Sequence, residues 1–455
     1  MSRRLLGTCV LCGVLIRAAG LALPGTLDVM VWKIWSYNAV RIGPTSLYGV
    51  GGNPPERRLL KYAGQATTVD YPPLALFELA VVGQIVHGLR PSYPNDAILT
   101  AALKLAPVAA EVGLTILLFR FVKRFAPRNE GVERAAALTA LAYWLNPAAI
   151  LDASFLGYLD PLFVLPAVLA LFAACAGWIE VAGALFAAAV LTKAQAVLVL
   201  PVFGLLLAVS PERLGRFVAG MFYVAALLIV PYVVVGAWPN MLNALASLAR
   251  HDMLSGFAAN LWWVVTYVAR ALYAVKSLGA WTAFTMPVRI LAISTLVELG
   301  NPNPRLVAAA MVLAAWSWGL WRARKVSDPF LLAGVGAFLV HAYFVLAVQV
   351  HENHLYTAVP LLALAAAGRP SFRPMFACVS AIVALNLNLF YGVSEEVGYG
   401  IPRGITVIDA SVVLAIANTI ALGWHARILS RECALGPAAP LAWSVSPGSP
   451  KLQSL

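Results

Sequence analysis

One apolar stretch after another, each near the length needed to cross a bilayer, leaves this chain few options. A hydrocarbon core of ~30 Å takes about 20 residues of helix. Such stretches lie at roughly 5–22, 72–89, 98–119, 135–150, 160–177, 180–209, 217–236, 259–275, 283–299, 306–321, 329–349, 355–368, 374–392 and 404–423. The runs are continuous rather than alternating, which argues against a β-barrel. Only 11% of the residues are charged, where a soluble domain carries about 25%. The expected fold is therefore all-α, a polytopic bundle of about 11–14 membrane helices. It forms one domain over 1–424, with a long first extracytoplasmic loop at 24–70, and a disordered cytoplasmic tail is expected over 425–455.

Charge gives the orientation. Arg3 and Arg4 precede the first apolar run, which reads as a membrane helix with its basic end inside rather than a cleavable signal peptide. Basic clusters at Arg120/Lys123/Arg124/Arg128, Arg213/Arg216, Arg322/Arg324/Lys325 and Arg369/Arg373 mark cytoplasmic loops. The net charge of +12 is this positive-inside distribution, so no nucleic-acid partner is expected. The five cysteines show no metal spacing and read as packing residues. By the same counting, 24–70, 238–258, 351–354 and 394–403 lie outside. Two segments strain this scheme. Asp28 outside and Arg120 inside require an odd number of crossings, yet two apolar runs lie between them. The run at 180–209 is too long for one crossing and too short for two, so the chain is expected to turn back at Thr192-Lys193-Ala194-Gln195. Broken helices are tolerated where they line a cavity, which makes Lys193 a functional candidate.

Ionisable residues at the lip of a bilayer are costly, and each is a candidate site residue. Asp28 can take a proton from an attacking hydroxyl, or it can belong to a helix cap with Thr26. In Asp70-Tyr71-Pro72-Pro73-Leu74 the prolines suit a first helical turn, which Asp70 would cap. Asp152 and Asp160 flank a break between helices that begins at Asn146-Pro147, and Asp160 before Pro161 also suits a cap. Lys193 can hold a phosphate as a point charge, or snorkel. His351-Glu352-Asn353-His354 has its histidines three apart, unlike the zinc motif, so neither metal nor cofactor is expected. A histidine there can donate to a phosphate oxygen with Glu352 orienting it, or the phrase is simply a polar turn. Glu111 lies within an apolar run and reads as a helix-to-helix hydrogen-bond partner, and Glu78 is ambiguous in the same way.

The order of these pieces resembles one family. Asp28, then Asp70-Tyr-Pro-Pro-Leu74, Asn146-Pro147 with Gly157-x-x-Asp160, Lys193-x-Gln195 and His351-Glu352 is similar to the GT-C superfamily of integral membrane glycosyltransferases. The nearest likeness is to the dolichyl-phosphate-glucose-dependent glucosyltransferases of the asparagine-linked glycan pathway and to prokaryotic polyprenyl-phosphate-sugar mannosyl- and glycosyltransferases. Ser255-Gly-Phe-Ala-Ala-Asn260-Leu-Trp262-Trp263 also resembles a phrase common in such proteins. The resemblance implies a GT-C-type bundle in the bilayer, a polyprenyl- or dolichyl-phosphate-linked hexose donor, and a glycan, lipid or protein acceptor. It further implies inversion at the anomeric carbon, an extracytoplasmic site and Asp28 as general base. Asp70, Tyr71, Asp152, Asp160, Lys193, Gln195, His351, Glu352 and His354 would bind donor or acceptor, and many members need no metal. The prokaryotic plasma membrane is favoured over the endoplasmic reticulum. The family's Gly-Gln-x-Asp reads Gly157-Tyr158-Leu159-Asp160 here, and its Lys-Pro-Gln reads Lys193-Ala194-Gln195. The rival class is a multi-pass secondary transporter, which also uses broken helices and intramembrane acids.

Overall fold

The computed structural model describes residues 3–52, 56–128, 130–207, 210–248 and 250–435. Helices dominate. α1 (Arg3–Leu21) turns at Gly25 into α2 (Leu27–Ile42), followed by an antiparallel hairpin of β1 (Leu60–Tyr62) and β2 (Gln65–Thr67). Next come α3 (Pro73–Leu89), α4 (Ala97–Phe125), α5 (Val132–Trp144) and the short α6 (Pro147–Ala149), which runs into a π-helical segment at Ile150–Leu156. α7 (Asp160–Cys175) and α8 (Ile179–Thr192) precede a 3₁₀ segment, Ala194–Val199, and α9 (Leu200–Leu207). α10 (Pro211–Val234), α11 (Trp238–Leu248), β3 (Ser255–Gly256), α12 (Leu261–Leu278), α13 (Ala280–Thr285) and α14 (Ile293–Glu298) follow. The chain closes with α15 (Pro304–Ala323), α16 (Pro329–Leu346), β4 (Val350–His351), α17 (Ala358–Gly368), α18 (Arg373–Tyr391) and α19 (Ala410–Ala434).

Among the described residues, seven helices are long and apolar enough to cross a membrane: α1, α4, α10, α15, α16, the span containing α18, and α19. Their burial sorts them. α16 is the axis, with 89% of its span buried, whereas the spans in α1, α10 and α15 are only 17% buried. An apolar helix that leaves most of its surface uncovered by protein needs lipid to cover it. The chain is therefore a multi-pass membrane protein.

The two apolar runs between Asp28 and Arg120 form α3 and α4, and both flanks of α3 return to α2. Tyr71, before α3, packs edge-on against Trp32 and Trp35 of α2. Beyond α3, Tyr93 hydroxyl lies 2.7 Å from Ser36 Oγ, and Asn95 Oδ1 accepts from Lys33 Nζ at 2.8 Å. Both flanks of α3 thus rest on α2, and among the described residues α4 is the one helix between Asp28 and Arg120 long and apolar enough to cross a membrane.

Helix ends follow local chemistry, with some departures from expectation. α5 stops at Trp144, short of 150, because Asn146 Oδ1 accepts from Ala148 N and Pro147 starts a new turn. The run expected at 283–299 is two short helices, since Met286 before Pro287 is extended (ψ 144°). α19 starts at Ala410, where Asp409 caps Ser411 N, and it continues to Ala434. The segment expected to be a disordered tail from 425 therefore begins as helix, and its remainder, 436–455, lies outside the described residues. The turn expected within 180–209 is present: α8 ends at Thr192 and Lys193 is extended (φ −150°, ψ 127°).

Candidate functional site

Lys104 shapes the first wall of the site. This buried residue of α4 donates from Nζ to the carbonyls of Gly20 (3.2 Å), Leu23 (2.7 Å) and Phe155 (2.7 Å). A cation thereby satisfies open carbonyls near the end of α1 and in the π-helical segment, and draws the two together. Gly157 follows at φ 81°, and a Cβ there would meet Val29 Cγ2 of α2 at 2.5 Å. Its carbonyl accepts from Trp32 Nε1 at 3.1 Å, and Thr26 Oγ1 donates to Leu156 O at 3.2 Å. α2 is thus seated on the 150–157 segment by backbone contacts that only glycine allows.

The first turn of α2 is capped from far along the chain. Leu27 N donates to Glu395 Oε2 at 2.9 Å, and Gly25 N donates to Ser394 Oγ at 3.1 Å. Neither Thr26 nor Asp28 caps α2 with its own side chain, which removes the capping account of Asp28. Among the described residues its carboxylate accepts no hydrogen bond and has no ion-pair partner. Burial, opposed by Lys193 and reinforced by Asp70, Asp160 and Glu395, raises its pKa to about 6.

A cavity of about 680 Å³ opens beside Asp28. Asp70, Tyr71, Lys193, Gln195, His351, Glu352 and His354 line it with Asp28, so eight of the residues expected from sequence meet there. Asp70 does not cap α3, whose cap position is Pro72. Burial raises its pKa, against Arg57, His251 and its own amide, which lower it. Asp160 stands just behind the wall and is not a cap either. Its Oδ1 accepts from Lys193 Nζ and its Oδ2 from Asn353 Nδ2, both at 2.6 Å. Asp152 is the expected site residue that the fold withholds: it is fully buried in the π-helical segment and does not line the cavity.

The turn after α16 supplies the opposite wall. β4 pairs in parallel with β3, setting His351 beside Gly256, where a Cβ would meet the imidazole Nδ1 at 2.8 Å. Gln349 and Phe257 take positive φ (62° and 60°) next to this pairing, a strained backbone of the kind that gathers at functional sites. His354 Nδ1 accepts from His351 N (3.4 Å), and its Nε2 lies 2.6 Å from Gln195 Nε2. Both nitrogens of His354 are thereby occupied. The His351 side chain remains 40% exposed, and desolvation, then His251 and Lys193, lower its pKa to about 4, so it is neutral near pH 7. Glu352 is buried, with Oε1 accepting from Tyr158 hydroxyl at 2.5 Å.

Sequence reasoning missed Tyr158, His251, Gln349, Asn353, Tyr391 and Glu395, of which all but Asn353 contribute through lining and Asn353 through both lining and its bond to Asp160. Tyr158 stood in view inside Gly157-Tyr158-Leu159-Asp160, and Asn353 inside the histidine phrase. Glu395 had no local signal, because its partner is 368 residues away. Among the described residues, no group of three or more His, Cys, Asp or Glu side chains could hold a metal ion. None of the known protein-family models matches the chain, and no curated protein matches its sequence.

Proposed function

We propose that this protein transfers a hexose from a polyprenyl- or dolichyl-phosphate donor to an acceptor hydroxyl, with inversion, in the cavity beside Asp28 and at the extracytoplasmic face of a GT-C-type bundle. One observation carries the reading. Residues chosen from their order along the chain, in four separate segments, line a single cavity that holds a carboxylate free of partners. In this reading Asp28 accepts the acceptor's proton as its oxygen attacks the anomeric carbon. The lipid phosphate leaves toward Lys193 and His351, whose N–H groups are suited to phosphate oxygens. The cavity volume of about 680 Å³ lies within the ~300–1,000 Å³ usual for small-molecule sites. His354, committed to Gln195, serves to hold the turn rather than to meet the donor. Asp160 serves to orient Lys193.

The extracytoplasmic assignment is supported by the basic clusters at Arg120–Arg128, in the last turns of α4 and just beyond, and at Arg369–Arg373, between α17 and α18, both at the ends of these helices away from the site. The test uses purified protein in lipid with a radiolabelled polyprenyl-phosphate hexose and candidate acceptors. Release of polyprenyl phosphate, abolished by Asp28→Asn, is expected. Solute uptake into sealed vesicles without donor cleavage would overturn the reading in favour of a transporter, to which the helix break at Lys193 is also suited.

A further inference from the structure

Among the described residues that line the cavity, Glu352 is the one carboxyl almost wholly buried (4% exposed). Its Oε1 accepts from Tyr158, but its Oε2, 3.9 Å from His351 Nδ1, has no hydrogen-bond partner. A buried polar atom without a partner is costly, and one beside a ligand cavity is satisfied when the ligand arrives. The surrounding charge decides what that ligand atom is. Four carboxyls line the cavity (Asp28, Asp70, Glu352 and Glu395) and one lysine, Lys193, whose charge is already met by Asp160. A phosphodiester carries one negative charge, and as its sugar leaves the phosphate gains a second. Among these carboxyls that second charge is disfavoured unless a proton arrives with it.

We propose that Glu352 is kept as a carboxylic acid and gives its Oε2 proton to the phosphate oxygen that the sugar leaves, resting on the transferase reading above. The acceptor's O–H proton passes to Asp28 while its oxygen bonds to the anomeric carbon. The carbon–oxygen bond to phosphate breaks with its electron pair going to that oxygen, which takes the Glu352 proton. Water then returns a proton to Glu352 and removes one from Asp28, so the overall change is acceptor–OH plus sugar–phosphate giving glycoside plus protonated phosphate. The groups facing Glu352 are Tyr158 after the π-helical segment, Tyr391 of α18, His351 in its own turn, Asp28 of α2 and Lys193. Burial raises the Glu352 pKa to about 7, with Tyr158 and its own amide lowering it, Asp28 raising it and Lys193 lowering it.

Glu352→Gln keeps the shape and a hydrogen bond but cannot release a proton. It is expected to lower kcat at least ~100-fold with KM within a few-fold, and to remove the alkaline limb of the wild-type pH profile. A variant within three-fold of wild type, or one that keeps that limb, would overturn the proposal. A second measurement needs no turnover. Infrared titration of the substrate-free wild type should show a buried carboxylic acid that ionises near pH 7, and Tyr158→Phe should move its carbonyl band. A Glu352 already ionised at pH 5 also sinks the proposal. If the wild type releases no polyprenyl phosphate, the transferase reading falls separately, while the titration still decides the protonation state.

Discussion

Asp28 and Asp160 are the same residue type with opposite fates. Asp160 has both oxygens taken, by Lys193 and Asn353, whereas Asp28 has neither taken. Asp28→Asn should therefore reduce transfer by ~10²–10⁴-fold while leaving donor binding and thermal stability near wild type, as a binding assay beside the turnover assay would show. Asp160→Ala leaves a buried lysine without its counter-charge, which costs about 3–5 kcal/mol. A large fall in the melting midpoint is expected, partly restored in the double variant Asp160→Ala/Lys193→Met. A melting midpoint unchanged by Asp160→Ala would mean that water reaches the pair. Lys104 belongs to the same scale. Lys104→Met strands the carbonyls of Leu23 and Phe155, a cost of about 1–3 kcal/mol, and should lower activity as well because those carbonyls seat the start of α2.

Between elements, the tightest joint lies where α8 crosses α10. A Cβ on Gly183 would strike the Phe217 carbonyl, and one on Gly220 would strike the Glu180 carbonyl. The two glycines let the backbones touch, the small-residue packing that membrane helices use where apolar burial offers no driving force. Above this joint α8 ends at Thr192 and presents Lys193 to the cavity. Gly220→Leu should push α10 from α8 and destabilise by ~1–3 kcal/mol. A melting shift no larger than that of a lipid-facing control such as Leu227→Ala would show that the crossing is looser than described. The same scale explains which helix ends were legible. Pro147, Pro211, Pro304 and Pro329 sit in first turns, where the missing amide costs no helical hydrogen bond. The break at Met286-Pro287 was not, because apolar residues dominate on both sides of it despite Arg289.

Taken whole, the molecule brings distant segments together around one cavity, and its charge balance predicts a pH window. Asp28 must be ionised to act as base, and its pKa is raised to about 6, so transfer should rise as pH climbs through about 6. Glu352 must be protonated, with a pKa near 7, so transfer should fall as pH passes about 7. A narrow bell between these limbs is expected from kcat/KM against pH, and Asp28→Glu should move only the acidic limb. A plateau that extends past pH 9 would leave only the Asp28 half standing.

The sequence by itself determined that the chain lies in a membrane, because apolar runs of about 20 residues have no other stable home. It also determined most helix ends, the break at Lys193 and a short set of candidate residues, since proline, asparagine and charge act on the backbone within a few positions. Only the tertiary structure decided which carboxylates are free. That depends on partners brought from afar: Glu395 capping α2 across 368 residues, Asn353 meeting Asp160 across 193, and Tyr158 meeting Glu352 across 194. A carboxylate's chemistry is set by what surrounds it, and in this chain the surroundings are nowhere near it in sequence.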